Sequence, residues 1–233
     1  MSSRITAGTV TTLAALTLLP ATPAAADVHG QSNTIKVVVD APKETITLPI
    51  VTSASADGSH SATLWIHYPD DPVYTLAGAT AGSGASVTLK ATLDTRKITR
   101  WGALQADVVD DTDGSSTTID LDVRRRSQAM LNHAEVRTAP SGCQVALGAR
   151  VRHYSPAARD YVASKRSPVR FQEYTKGRWA TAKTATTTDD GLSGATVTAA
   201  PGKHVYRAWR PDGATVWADA SPAVRVVVPK TCA

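Results

Sequence analysis

Apolar and polar residues alternate along most of this chain, and a period of two predicts β-strands. In the first half, four segments place apolar side chains on one face: Ile35, Val37 and Val39; Ile46, Leu48 and Ile50; Val87, Leu89, Ala91 and Leu93; Ile119, Leu121 and Val123. One apolar and one polar face is typical of antiparallel sheets that are covered on one side. We find no window with the spacing of an amphipathic helix, so the pattern predicts an all-β chain.

Turn-forming residues separate the alternating segments, as they do in β-sandwiches. The second half continues the pattern in "CQVALGARV", "PVRFQEY", "RWATAKTATTT", "LSGATVTA", "KHVYRAWR", "TVWADA" and "AVRVVVP". Asp189, Asp190 and Gly191 lie between two of these segments. Because Asp-Gly is a strong hairpin signal, we interpret the two carboxylates as a hairpin turn, not as half of an acid/base pair or a calcium loop.

The first 26 residues have the composition of a secretory signal peptide. Arg4 supplies a positive charge, residues 5–19 are mostly apolar, and residues 24–26 are the small residues expected before a cleavage site. The apolar stretch is shorter than the roughly 20 residues of a membrane span, and no later stretch is long enough. We therefore expect cleavage after Ala26 and a secreted, extracellular chain without a membrane span.

The chain has two cysteines, Cys143 and Cys232. An even number of cysteines favours pairing in an oxidising compartment. A zinc site or a catalytic thiol is the alternative, but there is no Cys-x-x-Cys motif to support either. The sequence predicts a disulfide bond between Cys143 and Cys232.

The charge changes sign near the middle of the chain. Residues 27–123 hold thirteen acidic and six basic residues, a net charge of −7, whereas residues 127–233 hold seven acidic and fifteen basic residues, a net charge of +8. Arg124, Arg125 and Arg126 lie between them. We predict a domain boundary here, with an acidic β-sandwich at 27–123 and a basic one at 124–233.

This asymmetry has two interpretations. The halves attract each other or keep the protein in solution, or the basic half meets a polyanion such as a cell-wall polymer or DNA. A basic segment near residues 150–170 is expected to be an exposed loop that can touch such a partner. Its candidate contacts are Arg150, Arg152, Arg159, Lys165, Arg166 and Arg170.

The second half resembles the immunoglobulin-like modules of secreted proteins from high-GC Gram-positive bacteria, the actinobacterial type. The resemblance covers about half of the chain and is carried by Arg124, Arg125, Gly148, Val169, Phe171, Gln172, Trp179, Thr188, Gly191, Tyr206 and Arg207. It implies an immunoglobulin-like β-sandwich, and it transfers no catalytic residue, since the shared pattern contains none. The alternation in the first half predicts a β-sandwich, but its segments do not match the strands of these modules one by one.

Motifs for enzymatic chemistry are missing from the sequence. There is no G-x-S-x-G, H-E-x-x-H or phosphate-binding loop, and the six histidines are scattered without metal-ligand spacing. Asp110, Asp111 and Asp113 offer three carboxylates but lack the glutamate that closes an EF-hand loop, so we prefer a solvated hairpin turn. We predict no catalytic residue, no metal and no cofactor.

Three tryptophans in the second half are the remaining candidates. We expect Trp179 to fill the core of the sandwich, because large aromatic side chains dominate core burial. Trp209 and Trp217 fall across one predicted hairpin and either support a strand edge or stack against sugar rings. The leading hypothesis is a secreted, non-enzymatic binding or adhesion protein of the cell envelope. The alternatives are a carbohydrate-binding module that uses Trp209 and Trp217, and an enzyme or enzyme inhibitor with an unrecognised site.

Overall fold

The computed structural model describes residues 26–27, 34–51, 59–68, 70, 75–83, 87–111, 114–140 and 142–232. Most of the predicted signal peptide, residues 1–25, lies outside these described residues, so its cleavage stays a prediction. The strands are β1 (Ala26–Asp27), β2 (Ile35–Val39), β3 (Lys43–Val51), β4 (Ser59–His67), β5 (Thr75–Ser83), β6 (Val87–Asp94), β7 (Gly102–Asp110), β8 (Ser116–Arg125), β9 (Ser127–Ala139), β10 (Gly142–Ser155), β11 (Asp160–Ala163), β12 (Pro168–Thr175), β13 (Arg178–Thr186), β14 (Leu192–Thr198), β15 (Gly202–Arg210), β16 (Asp219–Ala220) and β17 (Val224–Val228).

Helical structure in the described part of the chain is limited to two short 3-10 helices, Thr95–Lys97 and Lys230–Cys232. No helix there is long and apolar enough to cross a membrane.

The first half folds into two sheets. One has the order β1-β3-β6 and the other the order β2-β8-β7-β4-β5. Their pairings are antiparallel except for β1 with β3 and β2 with β8, which are parallel. The predicted apolar faces meet in one core, whose fully buried side chains include Leu48, Leu64, Leu89 and Leu121.

The second half also folds into two sheets. One is formed by β9, β10, β11 and β14, and the other by β12, β13, β15, β16 and β17. Its core is built around Phe171, Tyr206 and Val151, which are fully buried. The predicted fold class, all-β with immunoglobulin-like antiparallel β-sandwiches, is confirmed.

The turn at Asp189 and Asp190 is present, but the hairpin interpretation is wrong. The turn connects β13 in one sheet to β14 in the other, so it is a corner between sheets. Gly191 has a φ of +73°, and a Cβ atom there would lie 2.5 Å from the carbonyl oxygen of Val151. Both the backbone conformation and the close approach therefore require glycine.

The prediction of an exposed loop at residues 150–170 is wrong for most of the segment, since only residues 156–159 and 164–167 are connections. β10 and β11 form an antiparallel pair across this segment, with Arg152 opposite Ala163. Tyr154 from β10 is buried in the core of the first half, and Tyr161 packs against that core. β10 therefore contributes side chains to both cores, which fixes it as a strand.

Cys143 is buried at the beginning of β10, and no cysteine among the described residues is a free thiol. Cys232 ends the second 3-10 helix, but its side chain lies outside the described residues, so the bond to Cys143 stays a prediction. We expect the intact mass of the non-reduced secreted protein to be about two daltons below the reduced mass, because disulfide formation removes two thiol hydrogens. Two thiols that react with an alkylating agent in the folded protein would contradict the bond.

Candidate functional site

One sheet of the second half presents a distinctive outer face. Along β15, Tyr206 and Ala208 point into the core, so the alternating residues Arg207 and Trp209 lie on the opposite face. Arg170 of β12 is the register partner of Trp209 and is exposed. The period of two along each strand thus brings cationic and aromatic side chains to one surface.

Two more residues of β12 lie on this surface. Gln172 is on the outer side because it alternates with the core residue Phe171 and is the register partner of Arg207. Tyr174 follows two residues later and pairs with Trp179 of β13. We name this surface the aromatic–arginine face, which consists of Arg170, Gln172, Tyr174, Trp179, Arg207 and Trp209.

Arginines pack on both indoles of the aromatic–arginine face. The guanidinium carbon of Arg207 lies 4.2 Å from the ring centroid of Trp179, and that of Arg170 lies 5.1 Å from the ring centroid of Trp209. Tyr174 meets Trp179 edge to face, with 5.3 Å between centroids. Such cation–π contacts contribute about 0.5–1 kcal/mol each at exposed sites, and they hold the planar groups in fixed positions.

The aromatic–arginine face has positive charge without a local counter-charge. Among the described residues, no carboxylate lies within ion-pair distance of Arg170 or Arg207. The Nε atom of Arg207 donates a hydrogen bond of 2.8 Å to Oε1 of Gln172, and burial lowers the pKa of this guanidinium below its usual value. Oε1 of Glu173, the acidic residue of β12, lies within hydrogen-bond distance of Nδ1 of His204, at 2.6 Å.

The chemistry of this face suits a ligand that has both flat apolar surfaces and negative charge. Indole and phenol rings provide stacking area, while guanidinium groups present planar donors that match carboxylate geometry.

Trp209 belongs to this face, but the prediction that Trp217 offers a ring to a ligand is wrong. Trp217 is 8% exposed, and its Nε1 atom donates a hydrogen bond of 2.9 Å to the carbonyl oxygen of Val37 in the first half. Lys36 and Arg124 contact its ring at 3.8 and 4.3 Å. Trp217 therefore lies in the junction between the halves, where no sugar ring can reach it.

Two further expectations about this part of the chain are wrong. Trp179, expected in the core, is half-buried on the outer side of β13, where the sheet edge leaves it in contact with Arg207. The segment "TVWADA", expected to be a strand, is mostly a loop that ends in the two-residue strand β16. Its path is set by the burial of Trp217.

The six predicted polyanion contacts do not form one patch. Arg150 and Arg152 lie on β10, whereas Arg170 lies on β12 in the opposite sheet. Arg152 donates a hydrogen bond to the carbonyl oxygen of Tyr161. The other three are exposed in connections, Arg159 before β11 and Lys165 and Arg166 before β12. Of the six, only Arg170 lies on the aromatic–arginine face.

Sequence reasoning missed Gln172, Tyr174 and Arg207 as site residues. The alternation in "YRAWR" could have placed Arg207 and Trp209 on one face, since they are two residues apart in a predicted strand. The same period of two in "PVRFQEY" could have placed Gln172 and Tyr174 on the face of Arg170.

The aspartates of the first half do not form a metal site in the described part of the chain, where no group of three potential ligands is close enough. Asp110 ends β7, and its backbone bonds to Ser115 and Gly114 close the predicted β7–β8 hairpin, but Asp110 is fully buried and not solvated as predicted. Asp111 accepts a hydrogen bond of 2.8 Å from Thr63, and Asp113 lies outside the described residues.

Neither a protein-family model nor a curated protein sequence matches the chain. Among solved structures, the chain is similar to the CupB2 chaperone of Pseudomonas aeruginosa, with 8% identity, a TM-score of 0.28 and coverage of 86% of this chain and 100% of that one. It is also similar to CBD12 from CALX1.2, with 9% identity, a TM-score of 0.31 and 75% of both chains covered. A tetra-tandem repeat from the extending region of a large adhesion protein shares 14% identity at a TM-score of 0.30, with 84% of this chain and 49% of that one covered. At these TM-scores the likenesses carry no argument about function.

Proposed function

We propose that this chain is a secreted, non-enzymatic binding module whose aromatic–arginine face holds an anionic polysaccharide of the cell envelope. The observation that carries the proposal is the pairing of two indoles with two arginines that have no carboxylate beside them in the described part of the chain.

An acidic polysaccharide fits both components of this face. The apolar faces of sugar rings can stack against the rings of Trp179, Trp209 and Tyr174, because those rings supply rigid contact area. The carboxylates of uronic acid units can accept paired hydrogen bonds from Arg170 and Arg207. A neutral glycan would leave the two guanidinium groups unused.

The dimensions of the face favour an extended ligand. Arg170 and Tyr174 are four residues apart on β12, which corresponds to roughly 13 Å along a strand. Contacts therefore repeat over a length greater than one sugar ring. A polymer gains from such repetition because neighbouring units add contacts to the same binding event.

A nucleic acid is the competing polyanion, since single strands also stack on aromatic side chains. The aromatic–arginine face holds two cations, and the register of β15 and β17 adds Lys203 and Arg225 to the same outer side of the sheet, whereas nucleic-acid affinity rests on many phosphate contacts. We therefore favour the polysaccharide and treat a single-stranded oligonucleotide as a comparison ligand.

The test uses folded protein spanning residues 27–233 and an oligogalacturonate as the acidic glycan, with affinity measured by calorimetry at low and high salt. We expect Trp209→Ala and Arg207→Gln each to weaken binding about tenfold, the factor that corresponds to about 1.4 kcal/mol. Higher salt should also weaken binding, because charged contacts are screened.

Arg150→Gln is the matched control, because it removes the same charge from an exposed position of the opposite sheet. Equal affinities of Arg150→Gln and Arg207→Gln for the glycan would refute the site. Tighter binding of a neutral glucan or of a single-stranded oligonucleotide would refute the assignment to acidic polysaccharides.

A further inference from the structure

A cleft of about 470 Å³ lies at the junction of the two halves. The first half contributes Arg96, Ile98 and Trp101, the strand end at the junction contributes Arg125, and the β10–β11 turn contributes Pro156 and Arg159. This volume lies within the range of about 300–1,000 Å³ that is usual for small-molecule sites. No residue of the aromatic–arginine face lines this cleft.

Arg125 is a partly buried cation in this cleft that lacks an anionic partner among the described residues. Its Nη2 and Nε atoms donate to Oγ1 and the carbonyl oxygen of Thr215, at 3.0 and 3.4 Å. Its guanidinium carbon lies 5.1 Å from the ring centroid of Trp101. Removing a cation from water without a paired charge is unfavourable, so this position favours an incoming anion.

The backbone around Arg125 is held on both sides, which fixes the side chain before any ligand arrives. Its amide donates to the carbonyl oxygen of Thr215 at 3.0 Å, and its carbonyl oxygen accepts from the amide of Trp217 at 3.0 Å. A donor that is already oriented loses little freedom on binding.

Arg159 brings a second uncompensated cation to the cleft. It is exposed, and no carboxylate lies within ion-pair distance in the described part of the chain. Its φ of 54° is in the left-handed region, which is unfavourable for a residue with a side chain.

Arg96 differs from these two because its charge is balanced. Its Nε and Nη2 atoms donate to the two carboxylate oxygens of Asp94 at 2.9 and 2.7 Å. The lining of the cleft therefore has two cations that are free for a ligand and one that is paired.

We propose that this interdomain cleft binds a small carboxylate- or phosphate-bearing molecule. Arg125 and Arg159 pair with its anionic group, and Trp101 and Ile98 pack against its apolar part. Because the lining comes from both halves, an occupant also holds the halves together. This proposal is independent of the polysaccharide site, since the two sites share no residue.

The test measures binding of citrate and of inorganic phosphate to folded 27–233 protein at low ionic strength by calorimetry. We expect one of the two probes to bind, and the tighter one identifies the anionic group. Arg159→Gln is expected to weaken that binding about tenfold. Arg159 is exposed, so the variant should fold normally.

Two variants separate this site from general charge effects. Arg150→Gln, with the same charge change on another surface, and Trp209→Ala, on the aromatic–arginine face, should leave the affinity of the probe unchanged. Absence of binding by both probes would overturn the proposal, and so would equal losses in Arg150→Gln and Arg159→Gln. Unchanged affinity in Arg159→Gly, which relieves the backbone but removes the guanidinium, would also overturn it.

Discussion

Trp217→Ala is expected to lower the free energy of unfolding by about 3–5 kcal/mol, as truncation of a large buried aromatic side chain does. The ring is buried between the two halves, so its removal leaves a cavity at the junction. The carbonyl oxygen of Val37 also loses its 2.9 Å hydrogen bond from the indole, and an unsatisfied buried acceptor adds to the loss.

The backbone of Trp217 belongs to the same junction. Its amide donates to the carbonyl oxygen of Arg125 at 3.0 Å, and its own carbonyl oxygen accepts from Ser127 at 3.0 Å. Arg210 is buried beneath the loop and donates to the carbonyl oxygen of Val216 at 2.9 Å. The loss of the indole should therefore loosen a connected set of bonds.

Urea unfolding of wild type and variants measures this effect. Trp209→Ala is the matched control, because Trp209 is half-buried on an outer face, and we expect it to cost about 1.5 kcal/mol or less. Trp217→Phe retains most of the ring area but removes the donor, so its loss should be intermediate. An equal loss in Trp217→Ala and Trp209→Ala would show that the junction does not depend on the indole.

Local alternation predicted the faces of the strands because neighbouring residues determine them. In β2, β6 and β8 the residues placed on the apolar side, such as Val39, Leu93 and Leu121, are fully buried. A register shift of one residue would turn every apolar side chain of such a strand toward solvent, so the alternation determines which face is buried.

The position of Trp217 could not be predicted in the same way. Its hydrogen-bond partner, Val37, is 180 residues away in sequence, and the loop that carries the indole resembles an ordinary hairpin. Trp179 was misplaced for a related reason. Composition indicates that an aromatic residue will be buried, but only the sheet order shows that its strand is an edge with an open outer face.

The charge difference between the halves is partly used within the molecule. Arg124 forms an ion pair of 2.6 Å with Asp122, and Arg126 pairs with Asp40, so two of the three connecting arginines bind carboxylates of the acidic half. Arg125 has no such partner in the described part of the chain. The connecting arginines thus neutralise part of the acidic charge, while Arg125, Arg159, Arg170 and Arg207 have no carboxylate within ion-pair distance in the described part of the chain.

Acidification from pH 6.5 to 4 is expected to destabilise the protein through His153. Burial, followed by the positive charges of Arg125 and Arg210, lowers the pKa of this imidazole to about 4. Its Nδ1 atom lies 2.9 Å from the hydroxyl oxygen of Ser164. In the unfolded chain the same imidazole titrates near its ordinary value of about 6.5.

The sign follows from where the proton binds. Between pH 6.5 and 4 the unfolded chain takes up a proton at His153 and the folded protein does not, so the stability decreases as the pH falls through this range. The shift from 6.5 to about 4 corresponds to an upper limit of about 3 kcal/mol. His204 has the opposite shift, because its bonds to Glu173 and Ala200 outweigh the effect of burial and raise its pKa. Its contribution is complete below pH 6.5 and is lost only at higher pH.

Urea unfolding at several pH values, compared between wild type and His153→Asn, isolates this contribution. Asparagine cannot take up the proton, but it can keep a hydrogen bond to Ser164. The difference in unfolding free energy between the two proteins should therefore shift in favour of the variant as the pH falls from 6.5 to 4, by up to about 3 kcal/mol, and then level off. His133→Asn makes the same change at an exposed imidazole, and the His153→Asn difference should vary more with pH than the His133→Asn difference does. A constant difference between wild type and His153→Asn from pH 6.5 to 4 would show that His153 is protonated equally in the folded and unfolded states.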